Sequence, residues 1–76
     1  MTPAQSRAAR GLVTMTQTEL AKAAGLGQST VIDFEKERRV VSDAAIAAIR
    51  SALEAAGVEF IEQNGGGPGV RLAKRQ

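Results

Sequence analysis

Apolar residues recur every three or four positions from Ala45 through Ile46, Ile49, Ala52 and Leu53 to Ala56, the spacing of a single apolar stripe on an α-helix that Gly57 is placed to stop. Ser42 caps its start, and Asp43 puts a negative charge at the end of the helix dipole that favours one. Upstream the same spacing comes in shorter pieces. Thr2 before Pro3, with Gln5 to close a capping box, predicts a helix from about Pro3 to Leu12 whose inner face is Ala8, Ala9, Leu12 and Val13. Met15 then fills a gap in the core. Thr16 and Glu19 form a second capping box, so a helix starts at Gln17 and carries Leu20, Ala23 and Ala24 inward. Gly25 takes positive φ at no steric cost and ends that helix, and Leu26 anchors the turn. A further helix runs from Gln28 to about Lys36. Its Val31, Ile32, Phe34 and Glu35 divide between a buried and an open face, and Gln28, Ser29 and Asp33 share the open one.

Beyond Gly57 the pattern alternates, which is the period of strands. Residues 58–62 and 70–72 predict a β-hairpin around the loop Asn64-Gly65-Gly66-Gly67-Pro68-Gly69, followed by a basic, mobile tail from Ala73 to Gln76. The loop lacks the Gly-Lys-Ser/Thr ending of a phosphate-binding P-loop and opens no helix. The expected architecture is mainly α: a bundle of four to five short helices over residues 1–57, with the hairpin and tail over 58–76 as the dimerisation element. An isolated hairpin is marginal in water, so this one must pack on the last helix or pair with another chain.

Composition narrows the chemistry. The 76 residues make one small domain and contain no cysteine and no histidine, which removes disulfides, thiolate metal sites and the commonest general base. No catalytic constellation is left among Asp and Glu alone, so neither an enzyme nor a metal or other cofactor is expected. No apolar run approaches the roughly 20 residues that cross a bilayer, and the start of the chain lacks a signal peptide's pattern, which makes a cytoplasmic protein the expectation. The net charge of +2 and pI near 9.7 are compatible with nucleic acid, but the placement of charge says more than its sum.

Two short helices joined by a tight turn over Thr16 to Arg39, followed by basic residues, are the layout of a DNA-reading helix-turn-helix. Gln17, Glu19-Leu20-Ala21, Gly25, Val31 and Glu35 fall in register with the phage repressor and Cro type of that domain, the Xre family. The chain resembles it over about Pro3 to Leu53. It departs from the family pattern at Glu37, where glycine is usual, at Gly27, where Ser or Thr usually caps the reading helix, and at Val40 or Val41 in place of proline. The resemblance implies a lambda-repressor-like fold and double-stranded DNA, entered through the major groove, as partner. It also implies a structural pair between Arg10 and Glu35, where the residues alone make Arg7 and Arg10 ordinary surface charges.

Base contacts are expected from Gln28, which offers adenine a bidentate pair, from Ser29 and Thr30, and from Asp33, which accepts from a cytosine amine or else pairs with Arg38 or Lys36. The resemblance assigns base contacts to Gln28, Ser29 and Asp33 and a phosphate contact to Gln17. Phosphate contacts are expected near Thr16 and Gln17 at the helix start and from Lys36, Arg38 and Arg39 past the reading helix. One helix reads too few base pairs to select a site, so a homodimer on a palindromic operator is expected, joined through Val58, Phe60, Ile61, Val70 and Leu72. With no effector domain, no small-molecule effector is expected. The alternative is a protein-interaction module, such as an antitoxin or antiactivator, favoured by the modest net charge and by Asp33 and Glu37 among the cations.

Overall fold

A computed structural model describes residues 1–62 and 65–73. In chain order it forms α1 (Pro3–Val13), α2 (Gln17–Ala24), α3 (Gln28–Glu35), α4 (Asp43–Ala55), β1 (Val58–Ile61) and β2 (Gly69–Leu72). This is the mainly α bundle with a C-terminal hairpin that the sequence predicts. The expected loop start at Asn64 and most of the expected tail, residues 74–76, lie outside the described residues.

Local chemistry sets the helix starts. Thr2 Oγ1 accepts from the Gln5 amide at 3.1 Å while Gln5 Oε1 accepts from the Thr2 amide at 2.8 Å, and Pro3 opens α1 behind that closed box. Thr16 and Glu19 repeat the exchange at 3.0 and 2.8 Å, and Ser42 Oγ accepts from the Ala45 amide at 3.1 Å. Gly27, with no side chain to offer, leaves α3 without a side-chain cap. At the far ends, Gly25 (φ 71°) closes α2 in the left-handed region as its residue type allows, whereas Thr14 (φ 54°) and Glu37 (φ 56°) take that region with a Cβ in place. Glu37 thus performs the turn for which the resemblance implies a glycine.

The inner face of α1 differs from the expected one. Gln5, Ser6 and Ala9 are buried and Arg10 and Val13 half-buried, whereas Ala8 is exposed and Leu12 is 41% exposed. Hydrophobicity alone favoured Leu12; the helix is instead rotated to bring Ser6 and Arg10 against a carboxylate and Gln5 against two carbonyls. The core is built from Leu20, Val31, Phe34, Ile49 and Leu53 with smaller residues between them.

The hairpin belongs to this core. Val58 pairs with Leu72 and Phe60 with Val70 in an antiparallel register, and the period of two turns Val58 and Phe60 inward, where each is under a tenth exposed. The Arg50 guanidinium lies 5.1 Å from the centre of the Phe60 ring, and Gln5 Nε2 donates to the carbonyls of Ile61 at 3.3 Å and Gly69 at 2.9 Å. Of the two supports expected for the hairpin, packing on the last helix is present: β1 lies against α4, and the strands complete the core of the helices. One expectation is corrected: Val58 and Phe60 are buried in the core of their own chain and offer no side chain to a joint, whereas Leu72, 56% exposed, and the half-buried Ile61 keep apolar surface outside it. No helix among the described residues is long and apolar enough to cross a membrane.

Removing the Phe60 ring empties a core position, so Phe60→Ala should lower the unfolding free energy by about 3–5 kcal/mol. Leu72→Ala, at a rim position, should stay within about 0.5 kcal/mol. Urea melts of the two variants at low protein concentration make the comparison, and equal losses would contradict this packing.

Candidate nucleic-acid interface

α3 is held from below and open above. Val31, Phe34 and Glu35 are buried, while Gln28, Ser29 and Lys36 are exposed and Ile32 and Asp33 half-buried. Positions 28, 29, 32, 33 and 36 fall on one side of a helix of 3.6 residues per turn. Thr30 is half-buried and lies round the helix from that side, so it is not brought together with the other residues expected to meet bases.

Beneath this face the Glu35 carboxylate, 1% exposed as a residue, gathers three helices. Its Oε1 accepts from Arg10 Nη2 at 2.8 Å and from Gln17 Nε2 at 3.1 Å; its Oε2 accepts from Arg10 Nε at 2.9 Å and from Ser6 Oγ at 2.6 Å. Arg10 Nη1 goes on to the Met15 carbonyl at 3.1 Å, and the Arg7 guanidinium donates to the Glu35 backbone carbonyl at the end of α3. Burial by itself raises the carboxyl pKa, but the hydrogen bonds from Arg10, Ser6 and Gln17 together with the Arg10 charge outweigh it and hold Glu35 below its ordinary value of 4.5. Ser6 and Arg7 were not expected here. A serine one turn before Arg10 was the only sequence signal for the first, and nothing local marked the second.

Around the face, donors and cations are arranged at both ends. The amides of Gln17 and Thr18 have no acceptor within α2, because the Thr16 hydroxyl takes only the Glu19 amide and the Thr16 carbonyl only that of Leu20. Such an end attracts anions. The exposed Thr16 and the half-buried Gln17 line a groove there, together with Arg7, Thr14 and Lys36. Past α3, Lys36 and Arg38 are exposed and have no carboxylate partner among the described residues. Arg39 differs: its Nε donates to Asp33 Oδ2 at 2.8 Å, so the partner of Asp33 is neither Arg38 nor Lys36. Arg38 meets Asp33 only through the backbone, its amide donating to the Asp33 carbonyl at 2.9 Å. The Asp33–Arg39 pair reduces the repulsion that a bare carboxylate would meet beside phosphates, and takes one cation from the expected trio.

A capped helix, a glycine-closed turn and an open, polar second helix flanked by cations form a helix-turn-helix of the DNA-binding kind. Residues 7–60 match the Cro/C1-type helix-turn-helix family, and the chain belongs to it. It is a family of DNA-binding regulators and not one of enzymes. No curated protein matches the chain.

Arg10→Met leaves a buried carboxylate without its cation and should cost about 3–5 kcal/mol, measured by urea denaturation, with Glu35→Leu added to the same chain recovering part of the loss. Because the folded pKa of Glu35 is depressed, its contribution is fully present above the unfolded value and is lost as pH falls through the folded one. Native stability should therefore decline below about pH 4.5, and Glu35→Gln should flatten that limb of the stability–pH curve while starting from a lower value.

Proposed function

We propose that this protein is a sequence-specific transcriptional regulator, in its simplest action a repressor, that binds a palindromic operator as a homodimer in the cytoplasm. The observation that carries the reading is the face of α3. Gln28 and Ser29 present an amide and a hydroxyl where α3 begins, free of core contacts, and Lys36 and Arg38 flank the other end. Gln28 is suited to the N6 and N7 edge of adenine, Ser29 to either a donor or an acceptor, and the Asp33 carboxylate, steadied by Arg39, to the amine of cytosine. The α2 amides at Gln17 and Thr18, the Thr16 hydroxyl, Lys36 and Arg38 grip the phosphates on either side of the groove and set the register without reading sequence.

Two copies related by a two-fold axis place two such helices about 34 Å apart on one face of the duplex. Among the described residues each strand of the hairpin has one edge unpaired by another strand, and Ile61 and Leu72 leave apolar surface near those edges, which favours the hairpin as the joint. Occupancy of an operator that overlaps a promoter then blocks polymerase, with protein concentration as the controlling variable.

Selection from randomised duplexes should enrich a two-fold symmetric sequence. On it, Lys36→Gln with Arg38→Gln should weaken binding and make the slope of log affinity against log salt shallower by roughly 0.9 for each phosphate no longer neutralised. Unchanged affinity in dilute salt would refute the DNA-binding assignment of this surface. For the joint, Leu72→Arg should shift light-scattering mass from dimer to monomer with the circular dichroism unchanged, and a dimer that survives the change would move the interface elsewhere.

A further inference from the structure

Ile32 stands in the middle of the open face of α3. It follows Gln28 by one turn and precedes Lys36 by one, with Ser29 and Asp33 beside it. Among the described residues, the core and the side chains packed on it include its neighbours Val31 and Phe34 but not Ile32. A branched hydrocarbon therefore occupies the centre of a surface whose other members are an amide, a hydroxyl, a carboxylate and an ammonium group. Core packing does not account for it, and helix propensity disfavours a β-branched residue there.

The apolar group that a major groove presents is the C5-methyl of thymine. Resting on the DNA-binding reading above, we infer that Ile32 packs against a thymine methyl and is a specificity-determining residue that the polar contacts do not replace. The flanking Gln28 and Lys36 favour a polyanionic duplex as the occupant over an apolar protein surface, since an apolar partner would have to desolvate both. Four residues of helix separate Ile32 from Gln28, a rise of about 6 Å, and stacked bases are about 3.4 Å apart, so the thymine lies within two base-pair steps of the base read by Gln28.

The test needs only the methyl group to change. On the duplex enriched by selection, each thymine is replaced in turn by deoxyuridine, and Gln28→Ala locates the base that Gln28 reads. The native protein should lose about fourfold in affinity at one thymine within two steps of that base, the effect of uncovering one methyl-sized group. Ile32→Ala should abolish the thymine preference at that position while the salt dependence stays unchanged and the thermal melt does not fall. Equal binding of thymine and deoxyuridine throughout, or a preference that Ile32→Ala retains, overturns the inference while leaving the DNA-binding reading in place. The deoxyuridine series on the native chain decides this even if the variant folds poorly. Failure to enrich any sequence overturns both.

Discussion

The arrangement of this domain depends on where one negative charge is put. The Glu35 carboxylate is buried at the end of α3, and it is tolerable there only because α1 supplies Arg10 and Ser6 and α2 supplies Gln17. A buried carboxylate accepts hydrogen bonds in a limited set of directions, so satisfying it fixes how the three helices lie against one another. The apolar core supplies most of the driving force, but Leu, Val and Phe side chains pack acceptably in several registers. The charge selects among them. It even turns α1 away from its most hydrophobic alignment, which is why Leu12 is on the outside and Ser6 on the inside.

The same polar framework organises the candidate nucleic-acid surface. Gln17 lies at the start of α2, where two amides lack acceptors among the described residues, and its side chain bonds the carboxylate below, so the anion-attracting end of α2 and α3 are joined by one residue. Past α3 the chain turns at Glu37 in a left-handed conformation and brings Arg39 back onto Asp33. That ion pair makes the open face of α3 more neutral than the sequence indicates, and leaves Lys36 and Arg38 as the unpaired cations beside it among the described residues.

What was legible in the sequence was what local chemistry decides. The caps at Thr2, Thr16 and Ser42, the stop at Gly25 and the stripe of α4 each involve residues within one or two turns, and each stands where it was expected. The Arg10–Glu35 pair spans 25 residues and came into view only through family resemblance. Nothing near Gln5 in the chain indicates that its amide will meet the carbonyls of Ile61 and Gly69, because a polar residue on a helix reads as surface until its distant partner is known. Val58 and Phe60 went to the core for a similar reason: alternation reveals that a strand has an apolar face, but not what covers it. In the candidate site, the open positions of α3 were readable from helical spacing. Ile32 was not, since a helix of eight residues is too short for periodicity to assign a side chain at the edge of its stripe. The partner of Asp33 was hidden as well, because it depends on the path of the backbone after Glu37.

α1 carries two sets of contacts side by side. Gln5 bonds the hairpin carbonyls, and the next residue, Ser6, bonds the carboxylate under α3. The first helix is thus a strut whose length and pitch help set the offset between the C-terminal ribbon and α3. In an assembly joined through that ribbon, the distance between the two copies of α3 would depend on the strut as well as on the joint, so the protein would act as a gauge of helical turns. A change of one side chain in α1, touching neither nucleic acid nor subunit partner, would then retune the separation of half-sites that the pair can span.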